Sequence, residues 1–372
     1  MGLFDFFSKG KTAGESAPDL RLDPDELNIA VKMTGGLGDT IIHARIIMEL
    51  SKLVPKAHFY IFPAAGKAGQ WIFKNSKKQI DILPICFFDQ LSAAGFDMQL
   101  YLNTFAIFNE QSVNFGKIRK TAPELLKIFA STVENRAPWE VFIGKHPFLD
   151  GAFAHMATVR GFNRYNFIPH MLGIPVPENE LELPCGEKES GKILKKYPSY
   201  ITLNTGFDES FPIGTATATK SYPAEQWNRV VESVRQEYPE LGIVQVGGKN
   251  SIPVEGVHVD LAGKTGLEES AGVLKHSALH LDTEGGLVHV CASLGVPSAV
   301  LFGPTNLEYF AYPDNINIES PCCRDCWWAT ERWMEHCPRR KPQADCMAGI
   351  KPEQVMGKIR PVLQKIRQAA NK

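Results

Sequence analysis

The chain has 372 residues, too many for one ordinary core, so about two domains are expected. Hydrophobic residues make up 44% and charged residues 22%, a soluble globular composition, and 40 Lys plus Arg against 41 Asp plus Glu leave a net charge of −1. That balance disfavours a nucleic-acid-binding field, and no apolar run approaches the roughly 20 residues that span a bilayer.

Residues 1–24 read as a flexible tail. Bulky apolar residues at Phe4, Phe6 and Phe7 are interrupted by Asp5, and no small-residue cleavage site follows, so this is not a signal peptide and makes at most a peripheral membrane contact. The expected compartment is the cytoplasm, where thiols stay reduced. Eight cysteines, five of them between Cys322 and Cys346, then need an explanation other than disulfides.

Leu27–Met33 is a predicted strand, Thr34–Asp39 a glycine turn, and Ile41, Ile42, Ile46, Ile47, Leu50 and Leu53 follow at helical spacing. His58–Phe62 completes a βαβ unit. Residues 103–167 carry many aromatics and no assignable period. A Pro-rich, charged seam at 173–198 divides an N-terminal domain, 25–180, from a C-terminal domain, 181–360, with 361–372 as the end of a terminal helix. In the second half, Tyr200–Asn204 and Gly242–Val246 are strands, with a helix from Pro223 through Trp227, Val230, Val231 and Val234 between them. Leu267–His276 is a short helix. Next come a strand ending at Asp282, an acidic Gly-Gly turn, another short helix, and the strand Ser298–Phe302 closed by Gly303-Pro304-Thr305. Alternating strands and helices in both halves predict two doubly wound, Rossmann-like α/β domains.

Gly35-Gly36-Leu37-Gly38-Asp39 only partly matches a dinucleotide fingerprint, and the second strand ends in Phe62-Pro63-Ala64-Ala65 without the acid that anchors a ribose. Asp39 is a candidate general base; alternatively it caps a helix starting at Thr40, which would lower its basicity. Lys220 stands just ahead of a helix start, where its ammonium and free N–H groups could hold one diphosphate, with Asn204, Thr205 and Gly206 facing the same space; a solvated lysine is the plain alternative. Glu284 suits sugar or ribose hydroxyls, Gly285, Gly286 and Thr305 can approach phosphate, and Gly38 is a further donor-binding candidate. His289 follows in the helix, where a structural role competes with donor binding, and Asp282 reads as a structural hydrogen-bond acceptor. Cys323-x2-Cys326, Cys337 and Cys346 offer four thiolates for a closed structural zinc or iron site, with Cys322 spare; the alternative is a set of reduced core thiols.

In their order, several pieces resemble the family-nine glycosyltransferases, whose best-known members are the lipopolysaccharide heptosyltransferases. These are Gly35-Gly-Leu-Gly-Asp39, Lys220-Ser-Tyr-Pro…Trp227, Asp260-Leu-Ala-Gly-Lys-Thr265, Glu284-Gly-Gly-Leu-Val-His289, Phe302-Gly-Pro-Thr305 and Cys337-Pro…Cys346-Met-Ala-Gly-Ile350. The resemblance implies a GT-B architecture, two Rossmann-like domains facing across a cleft, and inverting transfer with no catalytic metal. It implies Asp39 as base, Lys220 as a diphosphate contact, and Glu284–His289 as the element that meets the donor sugar and phosphates. Glu284 stands where the family usually has Asp, and Gly285 replaces a hydroxyl residue, so the donor sugar is open. The four-cysteine loop at 321–347 is similar to metal-binding loops in some relatives, including a protein-heptosylating branch in which the metal is iron.

The expected activity is transfer of a heptose or related sugar from a nucleotide-diphosphate donor to a hydroxyl of a glycan, lipid-linked saccharide or protein. Arg160, Arg164 and Lys145 are candidate acceptor contacts, with ordinary surface charge as the plain alternative for each, and a homo-oligomer is allowed. The rival readings are a nucleotide-sugar epimerase of similar shape and a non-catalytic, metal-stapled binding or assembly module.

Overall fold

The computed structural model describes residues 17–76, 79–206 and 218–370. The tail reading for residues 1–16 lies outside the described residues. The chain divides into two compact units, one holding residues up to His146 together with Phe162–Asn179, the other Pro147–Gly161 and everything from Glu180 onward. The expected seam near residue 180 is therefore crossed once, because residues 147–161 belong with the second unit.

In the first unit, β1 (Leu27–Met33), the helix Leu37–Leu53 and β2 (Ala57–Pro63) form the βαβ unit, with β1 and β2 paired in parallel from Leu27↔Ala57 to Met33↔Pro63. With β3 (Ile80–Ile82), β4 (Met98–Leu102) and β5 (Ala106–Phe108), the sheet order is β3-β2-β1-β4-β5, and only β5 runs antiparallel. Strand β1 is buried at nearly every residue, as a central parallel strand covered on both faces should be, which is why it reads as a continuous apolar run. The unassigned stretch contains helices Phe115–Thr121, Glu124–Arg136 and Glu140–Lys145. There Trp139 packs edge-on to Phe167 and Phe162, and Phe105 meets Phe167. Large rings fill that core from irregular positions, so no 3.6-residue apolar stripe is needed.

The second unit holds six parallel strands: β6 (Tyr200–Asn204), β7 (Gly242–Val246), β8 (Val259–Asp260), β9 (His280–Thr283), β10 (Ser298–Phe302) and β11 (Ile316–Glu319), in the order β11-β10-β9-β6-β7-β8. Helix Ala224–Glu237 buries Trp227, Val230, Val231 and Val234, and these share one core with Val355, Met356, Ile359 and Leu363 of the terminal helix. That helix runs Pro352–Ala370 straight through Pro361. Arg360 ties it down with two 2.7 Å bonds to Glu237. Among the described residues no helix is long and apolar enough to cross a membrane.

Candidate functional site

In each unit the chemistry-bearing residues collect at the carboxyl ends of the strands where strand order reverses, the crevice in which open α/β sheets bind ligands. In the first unit this point lies between β1 and β4. Thr34 N donates to Leu102 O across it, and the glycine turn leads from β1 into the helix at Leu37. The helix starts three residues earlier than expected, so Asp39 is not its cap. It sits in the first turn, and its Oδ2 reaches back to accept from Gly36 N at 3.1 Å. Gly35 has φ +100°, and a Cβ there would collide with the Asp39 carboxylate, so this turn requires glycine.

Asp39 Oδ1 is paired with the Arg164 guanidinium, whose side chain is 5% exposed against 39% for Asp39. Arg164 is thus a buried partner of the carboxylate and not an ordinary surface charge, whereas Lys145 and Arg160 are exposed. One helical turn past Asp39 lies His43, fully buried, its Nε2 2.9 Å from Asn103 O. A carbonyl only accepts, so Nε2 carries the proton, and Nδ1 is a buried lone pair with no hydrogen-bond partner. Burial first, then the Arg164 cation, push the His43 pKa down to about 4, so the ring is neutral at neutral pH. The sequence signal for His43 was its i+4 spacing from Asp39; its apolar neighbours Ile42, Ile46 and Ile47 concealed it.

In the second unit the reversal lies between β6 and β9. Asn204, the last residue of β6, donates from Nδ2 to both Asp282 oxygens, at 3.0 and 3.2 Å, and its Oδ1 accepts from Gly206 N at 2.9 Å. Asp282 also meets His280 Nε2 at 3.2 Å and accepts from Thr283 N at 2.7 Å. His280 Nδ1 continues to Thr202 Oγ1, and Thr202 to Ser277 Oγ. Burial pushes the Asp282 carboxyl up, and the His280, Asn204 and Thr283 hydrogen bonds oppose that rise. This buried network braces both strand ends. Thr205 Oγ1 is turned away to Ile252 O at 2.7 Å.

Lys220 Nζ lies 2.5 Å from Glu284 Oε2 with both side chains largely buried, so Lys220 is not a solvated surface lysine. Ahead of it, Thr219 N donates to Met334 O and Thr219 Oγ1 to Trp333 O, each at 2.8 Å. Gly285 caps helix Gly286–Ser293 in an extended conformation without a side-chain bond, leaving the first N–H groups of that helix available. His289 is 6% exposed, and its Nδ1 lies 2.8 Å from the Tyr312 hydroxyl; Thr305 is 2% exposed. Residues 207–217, which follow β6 in sequence, lie outside the described residues.

Cys323, Cys326, Cys337 and Cys346 line one cavity of about 150 Å³ together with Thr219 and Arg339. Burial, reinforced by the neighbouring thiols, pushes Cys326 up to about 11 and Cys346 up to about 12. Among the described residues no three His, Cys, Asp or Glu side chains stand at metal-holding spacing, so the expected tetrathiolate site gains no support here. Cysteine side chains converge into a tetrahedral set when a bound cation draws them in as thiolates. The backbone around them is strained, with Asp325, Trp328 and Arg340 at φ of 62°, 52° and 56°. This segment packs on helix Asp150–Val159, where a Cβ on Gly151 would strike the Trp327 carbonyl.

Residues 168–332 match the family described as Glycosyltransferase family 9 (heptosyltransferase). A sequence comparison with curated proteins finds no match. Among solved structures, the chain is similar to the iron-containing dodecameric glycosyltransferase TibC from enterotoxigenic E. coli H10407, at 16% identity and TM-score 0.57, covering 96% of this chain and 84% of that one. A further TibC structure holds ADP-D-β-D-heptose. E. coli ADP-heptose lps heptosyltransferase II follows at 13% identity and TM-score 0.55, covering 91% and 99%. The family 9 glycosyl transferase of Veillonella parvula DSM 2008 stands at 17% identity and TM-score 0.56, covering 92% and 99%. At such identities the structures speak for the fold. Residues 168–332 thus match the family-nine glycosyltransferases in sequence, on a chain whose fold is similar to that of the glycosyltransferases named above.

Proposed function

We propose that the chain is an inverting transferase that moves a heptose or related sugar from a nucleotide-diphosphate donor to a hydroxyl of a glycan, lipid-linked saccharide or protein. The observation that carries this reading is the position of Lys220 and the Glu284–Gly286 turn at the β6/β9 reversal, inside the segment that matches the family. Asp39 accepts the acceptor hydroxyl proton, the hydroxyl oxygen bonds to the anomeric carbon, and the bond from that carbon to phosphate oxygen breaks. The departing diphosphate takes the electron pair, and Lys220 with the N–H groups at Gly286 neutralises its charge. Arg164 and Gly36 N hold one Asp39 oxygen each, fixing the carboxylate while leaving lone pairs on both. Neutral His43 behind them adds no cation that would oppose proton uptake. TibC's complex with ADP-D-β-D-heptose supports an ADP-linked donor as the first to try. With thiols kept reduced, the expected compartment is the cytoplasm.

The test is thermal-shift screening against ADP-, GDP- and UDP-sugars, followed by transfer assays with the sugar that responds. Asp39→Asn should retain the shift and lose at least about 100-fold in kcat, the range of a lost general base. Retained turnover in that variant removes Asp39 from the base role.

The same reading places a structural zinc or iron on Cys323, Cys326, Cys337 and Cys346, supported by their shared cavity and the strained backbone around it, and routes no reaction step through the metal. TibC is named as iron-containing and dodecameric, which makes metal content and assembly state worth measuring together. Purified protein should carry about one metal per chain, and Cys326→Ser should lose both the metal and several degrees of melting temperature. Metal-free protein of unchanged melting temperature would show the cysteines to be packing residues.

A further inference from the structure

The turn after β9 sets a carboxylate on the ammonium that the proposed donor site needs. Lys220 and Glu284 are in contact at 2.5 Å, with side-chain exposures of 14% and 12%. Asp282, two residues back, is already engaged by Asn204, His280 and Thr283 N. Glu284 is therefore the rival that an incoming anion meets. Its length matters, because an Asp at this position would be one methylene short of the same contact.

A diphosphate and a carboxylate cannot share one ammonium in so buried a place without strong repulsion between them. We infer that Glu284 is an internal competitor for Lys220, released when an intact nucleotide sugar binds and recaptured once only the spent nucleoside diphosphate remains. The inference rests on the donor-site reading above. An intact donor brings sugar hydroxyls, which donate hydrogen bonds to a displaced carboxylate, so Glu284 keeps partners away from Lys220. Transfer breaks the bond from the anomeric carbon to phosphate oxygen and leaves the electron pair on that oxygen. The product then has one more negative charge and lacks the hydroxyls of the transferred sugar, so it faces Glu284 without the groups that offset the repulsion in the intact donor. Glu284 thereby discriminates donor from product and hastens product release.

The experiment is calorimetric titration of wild type, Glu284→Gln, Glu284→Asp and Lys220→Met with inorganic pyrophosphate, ADP, GDP and UDP. Glu284→Gln should bind pyrophosphate and the responding nucleoside diphosphate at least tenfold more tightly than wild type, and that product should inhibit turnover more deeply. Glu284→Asp, which keeps the charge but shortens the reach, should move in the same direction by less, and it carries the test if the amide variant does not fold. Lys220→Met should lose binding. If neither Glu284 variant tightens binding while Lys220→Met still abolishes it, the competitor role is overturned and the donor site stands. If wild type and all variants bind none of the four anions, the donor-site reading fails and takes this inference with it.

Discussion

Asp39 and His43 show how one helical turn sets two charge states. The carboxylate is held by Arg164 and Gly36 N, while the imidazole four residues on is buried, neutral and hydrogen-bonded to Asn103 O. A histidine whose folded pKa is about 4, against an ordinary 6.5, binds fewer protons when folded than when unfolded between those two values. Stability must then fall as pH drops from about 6.5 towards 4, by at most about 3 kcal/mol from this group, and level off below. Asp39 and Arg164 are the charged groups acting on the ring, and burial outweighs both. Urea unfolding between pH 7 and pH 4.5 should show this loss, and His43→Gln should flatten that part of the profile. An unchanged slope in the variant would assign the acid sensitivity to other groups.

The elements themselves were largely legible. Strands β1, β6, β7 and β10 fall on the residues expected for them because buried parallel strands announce themselves as short apolar runs between glycines. What could not be read was contact across sequence. Arg164 reaches Asp39 over 125 residues through a stretch whose aromatic packing hides its period, and Thr219 meets Trp333 over 114 residues. The second of these contacts links the cysteine-rich segment to Lys220, the next residue along. Thr219→Val keeps the shape and removes one hydrogen bond, a loss of about 1 kcal/mol. Its expected effect is a donor KM raised several-fold with kcat little changed and the melting temperature within a few degrees of wild type. An unaltered KM would mean that Lys220 holds its place without this clip.

For the whole molecule, the decisive departure from a simple reading in two halves is the short segment 147–161. It lies within the sequence of the first unit yet supplies a wall of the second: Phe153 is fully buried and packs edge-on to Tyr309 at 5.7 Å, Phe148 meets Trp328, and Gly151 abuts the Trp327 carbonyl. A fragment cut where the charged seam suggests, residues 180–372, would keep all six strands of its sheet but expose the underside of the cysteine-rich segment. Removing Phe153 alone forfeits about 3–5 kcal/mol, the range for a large buried ring, and a domain stability of about 5–15 kcal/mol leaves little after that. The fragment should therefore melt well below the full chain and bind a hydrophobic dye at 25 °C. A synthetic peptide of residues 147–161 should raise its melting point in a concentration-dependent way, because a ligand that binds only the folded form stabilises it. The same peptide carrying Phe153→Ala should not. A fragment that melts cooperatively at the full-chain temperature without the peptide would reduce the segment to a connector.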